Sequence, residues 1–238
     1  MAPVDNDPAR GALLAAAELN AAGGVLGQPL ETRWLDNKSD AALGARSAEE
    51  LLAAGATALI LPCDFDTAAP PALAAQAAGV PAVSMCASDP KMSDLNTIGE
   101  FGFSLGTGTD VKGAMAAEWA FRERGWRNAF ILRDDSIEYS RSQGKFFEQS
   151  WKDLGGNVVG VESFVGGEDN NVRPQVAALR QVEDEVDVVV LASWPLPGPV
   201  AVREIRNAGI DLPIVHPGAS IDGQLLTDVV PDVSNLYS

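Results

Sequence analysis

The sequence predicts an α/β protein of the doubly wound type, in which parallel sheets carry helices on both faces. Three observations predict it. A helical stretch, a glycine and then four to seven apolar residues rich in Val, Ile and Leu recur along the 238 residues. Segments such as 186–192 (VDVVVLA) and 56–61 (ATALIL) are continuously apolar rather than alternating, as burial on both faces of a parallel sheet produces. The helical stretches instead follow a 3.6-residue period. Val172, Val176, Leu179 and Val182 fall at i, i+4, i+7 and i+10, and Phe147, Trp151 and Leu154 repeat that spacing in another helix.

In chain order, the glycines expected to end helices are Gly23, Gly55, Gly79, Gly125, Gly155 and Gly209, each in the left-handed conformation that is free of Cβ strain. Strands are expected at 30–35, 57–61, 82–85, 129–132, 158–161, 186–192 and 212–215. The segment ALIL (58–61) runs straight into Pro62–Cys63–Asp64–Phe65–Asp66, the loop at a strand's carboxyl end, followed by a helix starting near 67–71. In doubly wound sheets ligands bind at such ends, so an Asp there either faces ligand or caps the helix. The βα rhythm breaks over 87–110, a stretch rich in Pro, Gly, Ser, Thr and Asp that reads as a crossing from one lobe to another, and then resumes. The string GTGTDVKG (106–113) lacks the spacing of a phosphate-binding loop. Thr109 or Asp110 as N-cap of a helix through Arg124 explains it better.

A net charge of −16 disfavours nucleic acid and anionic membrane surfaces as partners. No run reaches the ~18 apolar residues of a membrane span, and the opening Met-Ala-Pro-Val-Asp has neither a basic start nor an apolar targeting core. Cys63 and Cys86 fit a reducing or an oxidising compartment. They are expected as two free, partly buried thiols, because Cα atoms at strand ends often lie outside the ~4.4 to 6.8 Å range that a disulfide needs. No dinucleotide fingerprint, metal cluster or Ser/His/Asp spacing occurs, so no cofactor and no metal are expected, and binding is favoured over turnover. His216, the only histidine, is expected to be structural.

Four stretches carry a family resemblance: LNAAGGVLGQPLETRWLDNKSD (19–40), AGVPAVSMCASDP (78–90), the turn 167–172 after VESF, and RNAGIDLPIVHPG (206–218). They resemble the type I periplasmic binding proteins, more narrowly the branched-chain amino acid and amide receptors of ABC transporters. The resemblance implies two doubly wound lobes that close on a small solute, with lobe 1 at 1–108, lobe 2 at 109–234 and the start of a return crossing at 235–238. It also implies a chain cropped at both ends, since the strand before the opening helix is almost absent and the family continues beyond Tyr237.

The resemblance further implies a set of ligand contacts. Asp64 stands where the family places a carboxylate-binding Ser, with Phe65 and Asp66 beside it. Cys86, Ala87 and Ser88 match a second lobe 1 loop, whose amides and hydroxyl would form an anion nest. From lobe 2, Tyr139 in Asp135-Ser-Ile-Glu-Tyr139 and Trp194 match two aromatic positions. Gly218 fills the slot of the acid that pairs with a ligand ammonium. That departure points away from a standard amino acid toward an amide, an aromatic compound or a cation-bearing metabolite, with Asp64, Asp66 or Asp222 as possible counter-charges. The expected function is a periplasmic, noncatalytic receptor delivering a small molecule to a permease. The alternatives are a ligand-sensing regulatory protein of the same fold and a hydrolase using Asp64 and Asp66 as paired carboxylates.

Overall fold

The computed structural model describes residues 2–166, 171–218 and 233–238. They fall into two compact units, Met1–Gly106 and Thr107–Ser238. Unit 1 begins with helices α1 (Ala2–Ala21) and α2 (Ala41–Ala53), followed by β1 (Leu59–Leu61), α3 (Phe65–Ala78), β2 (Ala82–Ser84), a 3-10 turn at Pro90–Ser93 and β3 (Gly102–Ser104). Unit 2 runs α4 (Thr109–Arg122), β4 (Asn128–Asp134), α5 (Glu138–Asp153), β5 (Asn157–Phe164), α6 (Arg173–Gln181), β6 (Val188–Ala192), α7 (Pro197–Asn207), β7 (Ile214–Val215) and β8 (Leu236–Tyr237).

Both sheets are parallel throughout. Unit 1 pairs β1-β2-β3, and unit 2 pairs β5-β4-β6-β7-β8. The six glycines read as helix stops all have positive φ, from 66° at Gly79 to 106° at Gly23, the region where a side chain would be strained. Gly79 shows the mechanism: its N–H and that of Val80 close on carbonyls of the last turn of α3.

Unit 2 matches the expectation of a sheet covered on both faces, since every residue of β6 is buried. Leu132, Val189, Leu191 and Ile214 pack with Val176 and Leu179 of α6 and Val202 and Ile205 of α7 on one side. On the other, Ile131, Val188, Val190 and Val215 pack with Phe147 and Trp151 of α5 and Ala117 and Ala120 of α4. Trp151 is fully buried, and its indole N–H donates to the Asn157 carbonyl (2.9 Å), so the largest side chain leaves no polar atom unmet.

Unit 1 departs from the expectation in two places. Leu59, Leu61 and Ala82 pack beneath α2 and α3, but the register Ile60↔Val83↔Phe103 sets a second apolar row across the other face. There Ile60 and Phe103 are 60% and 50% exposed. The segment 30–35, expected as a strand, is irregular and exposed. It finds no partner strand among the described residues, and an unpaired strand has no ladder of hydrogen bonds to hold it. Instead, the Asn20 side chain clamps both the N–H (2.6 Å) and the carbonyl (2.9 Å) of Leu30.

A third correction concerns the cysteines. Cys63 and Cys86 form a disulfide rather than two free thiols. The register explains it: Leu61 pairs with Ser84, so the residues two places beyond each strand end stay side by side, with a Cα separation of 4.5 Å. The bridge ties the loops after β1 and β2 together.

Closing 23 residues of chain separation stabilises a fold by about 3 kcal/mol in the chain-entropy model. Replacing both cysteines by serine is expected to lower the stability of unit 1 by that order, seen as an earlier loss of far-ultraviolet circular dichroism on denaturant titration. Tryptophan fluorescence should move little, because four of the five tryptophans, Trp119, Trp126, Trp151 and Trp194, lie in unit 2.

Candidate functional site

A parallel sheet puts every strand's carboxyl end and every following helix N-terminus on one edge, and the candidate residues of each unit lie there. In unit 1 the loop after β1 delivers Asp64 as the residue preceding α3, with extended backbone (φ −117°, ψ 138°). α3 thus begins at Phe65, earlier than the expected 67–71. Asp64 holds the N-cap position, yet its side chain makes no capping bond. It is 3% exposed, and Oδ1 has no hydrogen-bond partner. Burial, then the charges of Asp66 and Asp5, push its pKa up to about 7 against the pull of the Asp66 and Thr67 amides.

The neighbours are acidic too. Asp5 of α1 accepts the Cys63 N–H (2.8 Å), and Asp66 lies in the first turn of α3. Phe65 packs against the unit 1 core, with the Lys91 ammonium 4.7 Å from its ring centroid. At the anion nest expected from Cys86, Ala87 and Ser88, two groups are engaged within the chain itself. The Ala87 N–H is taken by Ser84 Oγ (2.9 Å), which itself donates to the Pro62 carbonyl (2.6 Å). The Ser88 hydroxyl donates to the Cys86 carbonyl (3.1 Å), and the chain then enters a four-residue 3-10 turn rather than an α-helix. That turn is capped by Asp89, itself 3% exposed, which accepts the Lys91 N–H (2.9 Å).

In unit 2 the strand order β5-β4-β6 reverses direction at β4 and β6, the switch point where open α/β sheets form their binding crevice. Trp194, beyond β6, donates its indole N–H to Ser136 Oγ (3.2 Å), beyond β4. Ser136 in turn donates to Asp134 through both its hydroxyl (2.9 Å) and its N–H (2.9 Å), and Gly166 adds a further N–H (2.9 Å). A fully buried carboxylate thereby orients the indole across the switch point. Tyr139, in the first turn of α5, has the Lys112 ammonium 5.3 Å from its ring centroid. Burial lowers the Lys112 pKa. Thr109 follows Gly108, which is the actual N-cap of α4, and its hydroxyl pairs with that of Ser142 (2.7 Å).

His216 plays the structural part expected of it. One ring nitrogen meets the Ser193 carbonyl (3.0 Å) and the other lies against the backbone of Gly218, whose N–H is 3.2 Å away. The ring joins the loops after β6 and β7. Burial, reinforced by the Lys112 charge, lowers its pKa to about 4 despite those backbone bonds, so it is neutral at pH 7. Gly218 is buried in this network, and its carbonyl accepts the Ser238 hydroxyl (3.2 Å). Asp135 is bound by Arg133 (2.6 and 3.3 Å). Burial alone would raise its pKa, but Arg133, Ser163 and Arg141 outweigh that and lower it.

Sequence reasoning missed several of these groups. Ser140 and Gln143 of α5 are fully buried, and neither the Ser140 hydroxyl nor either amide atom of Gln143 has a hydrogen-bond partner. They continue the stripe of Phe147 and Trp151 toward the helix start, where polar residues on an otherwise apolar face were the available signal. Gly144 seats this part of α5 on the sheet's carboxyl edge: a Cβ there would meet Ala192 at 3.3 Å and Arg133 at 2.9 Å. Asp222 and most of the turn 167–172 lie outside the described residues. A groove of about 320 Å³ lined by Arg173, Val176, Arg180 and Glu204 lies on the outer helices α6 and α7 and contains none of the candidate residues.

The sequence matches the periplasmic binding protein family across residues 1–238. Among solved structures, the chain is similar to LivJ of Streptococcus pneumoniae, a branched-chain amino acid transporter substrate-binding protein in complex with isoleucine. Identity is 25% and the TM-score 0.82, over 97% of this chain and 64% of that one. It shares its fold with the leucine-binding protein LivK of Thermotoga maritima (20% identity, TM-score 0.77, 90% of this chain and 59% of that one). It also shares it with a periplasmic binding protein of Burkholderia mallei (17%, 0.78, 91% and 57%). The chain therefore spans less than two thirds of the length of these structures. No curated protein matches the sequence.

Two of the buried titratable groups, Asp64 and His216, set opposite pH responses. Asp64 is raised to about 7 from 3.8, so the folded state holds its proton more tightly and loses about 4 kcal/mol as pH rises from 4 through 7. His216 is lowered to about 4 from 6.5, so the unfolded state gains a proton first and about 3 kcal/mol is lost as pH falls from 6.5 to 4. Calorimetry at pH 4.5 and 7.5 should show Asp64→Asn stabilising the protein mainly at the higher pH, and His216→Gln changing its acid-side slope. Gln143→Met is expected to raise apo stability by about 1 kcal/mol or more, measured by denaturant titration, because it removes two buried unmet polar atoms.

Proposed function

Because the chain belongs to the periplasmic binding protein family, we propose that it is a noncatalytic solute receptor that captures a small molecule and hands it to the permease of an ABC transporter. The observation that carries this reading is the carboxyl edge of unit 2. There Trp194 is oriented by Ser136 and Asp134 across the switch point, with Tyr139, Ser140 and Gln143 close to the same edge. An aromatic surface fixed by hydrogen bonds, beside polar atoms that lack partners, is suited to holding a guest with one apolar face and a few polar groups.

In this reading residues 1–108 and 109–234 act as the receptor's two lobes. Asp64, Phe65 and Asp66, together with Cys86, Ala87 and Ser88, are the contacts from the first. Tyr139, Trp194 and the backbone of Gly218 are those from the second. The Cys63–Cys86 disulfide supports an oxidising, extracytoplasmic setting. The isoleucine held by the S. pneumoniae protein supports a solute of amino-acid size.

One observation favours a second reading, a hydrolase: Asp64, its pKa raised to about 7, lies two residues from Asp66, and a carboxyl able to give a proton near neutral pH beside another carboxyl is what acid–base hydrolysis uses. Incubation with glycosides and amides separates the two, since product formation would reject the receptor.

A thermal-shift screen against amino acids, amides, aromatic acids and amines should yield at least one ligand. At 100 times its Kd such a ligand adds about 2.7 kcal/mol of stability. Trp194→Ala is expected to weaken that ligand at least about tenfold, equivalent to about 1.4 kcal/mol, while leaving apo stability close to wild type. Unchanged affinity would remove Trp194 from the site.

A further inference from the structure

The carboxyl edge of unit 1 gathers charge of one sign. Asp64 and Asp89 are each 3% exposed. Asp66 and Asp5 are close enough to act on Asp64. A cation, Lys91, stands at this edge with its ammonium 3.9 Å from Asp89 and over the Phe65 ring. Two of the groups that could have received an anion are engaged instead: the Ala87 amide holds Ser84, and the Ser88 hydroxyl holds the Cys86 carbonyl. Asp64 Oδ1 remains buried and without a hydrogen-bond partner, and the disulfide one residue away fixes its backbone to the neighbouring loop. No group of three His, Cys, Asp or Glu side chains suited to a metal ion exists among the described residues.

A buried carboxylate oxygen without a donor is costly, and two species relieve it: a proton, or a positively charged N–H group. A ligand carboxylate would do neither and would add a further like charge. Resting on the receptor reading above, we propose that the carboxyl edge of unit 1 receives the cationic N–H end of the solute, an ammonium or guanidinium, with Asp64 as its acceptor. The solute class is therefore small organic amines, or zwitterions that turn their ammonium toward unit 1.

Proton linkage follows from the same geometry. Asp66 of α3 and Asp5 of α1 favour a proton on Asp64, and the Asp66 and Thr67 amides oppose it. The carboxyl is largely protonated below pH 7, so a cation must displace that proton. Affinity should rise with pH, by up to tenfold per unit below 7, and level off above it.

The test is titration calorimetry of the whole chain at pH 6 and pH 8 with 1,4-diaminobutane, agmatine, leucine and valerate, repeated on Asp64→Asn and Asp64→Ser. Neither variant endangers folding, because each removes a buried unpaired charge. The proposal expects an amine, or leucine through its ammonium, to bind more tightly at pH 8 and to release a proton at pH 6. It also expects both variants to lose at least tenfold in affinity together with the pH dependence. Valerate binding, or an amine or leucine bound as tightly by both variants as by wild type, would overturn the proposal while leaving the receptor standing. Failure of all four probes, and of the wider thermal-shift screen, would remove the receptor reading and this inference with it.

Discussion

Parallel strand pairing is the constraint on which the rest of this protein depends. Two parallel neighbours cannot be joined by a tight turn, so each needs a long crossover, usually a helix, that carries the chain back. That return fixes the carboxyl end of every strand and the amino end of every returning helix to one edge. In unit 1 the edge holds Asp64, the Cys63–Cys86 bridge and Asp89. In unit 2 it holds Asp134, Ser136, Tyr139, Trp194 and His216. Residues 58 apart in sequence, Ser136 and Trp194, come within hydrogen-bond distance because β4 and β6 are neighbours whose following helices, α5 and α7, take up separate connections. The same constraint makes the disulfide: strands in register at Leu61 and Ser84 keep the next residues paired as well.

Burial at these edges acts on two groups of opposite charge type. It disfavours the charged form of each, so it raises Asp64 and lowers His216, and near neutral pH both tend toward neutrality. The consequences differ because their surroundings differ. His216 has backbone partners on both ring nitrogens and serves as a strut joining two loops. Asp64 has acids for neighbours, and its Oδ1 has no donor among the described residues. A satisfied buried group stabilises structure, whereas an incomplete one is open to a guest.

Much of the fold was legible in the sequence because local rules and tertiary packing agree there. The six glycines stop helices where φ must be positive, the stripe of Val172, Val176 and Leu179 buries against the sheet, and VVVLA is a strand buried on both faces. Where sequence and structure part, the deciding contact is non-local. Residues 30–35 have strand-like composition but lack a neighbour to pair with, and Ile60 is as apolar as a covered residue while standing exposed. The disulfide depended on register, which composition does not encode. Among the candidate contacts, Tyr139, Trp194 and Asp64 were singled out by the family resemblance, and each follows a strand. Ser136 and Asp134 were not, since their task of orienting Trp194 exists only once β4 and β6 are side by side.

The distribution of unmet polar atoms argues that these edges are retained for a reason other than stability. Six buried side-chain atoms among the described residues lack partners: Asp64 Oδ1, Ser140 Oγ, both amide atoms of Gln143, Gln175 Oε1 and Arg206 Nε. Gln175 and Arg206 are bonded through their other nitrogens, to Ser163 and to Ile210, Leu212 and Ser234, so each is only partly unmet. Gln143 has neither amide atom bonded, and Ser140 has no bond from its only side-chain polar atom; both lie in the first turns of α5, over the strand ends. Apolar residues of similar size would fill those positions at less cost to folding. A helix that places Phe147 and Trp151 in the core could have continued that stripe to its start. It turns polar instead at the level where the strands end and Trp194 is held in place, which is where a bound molecule would supply the missing partners.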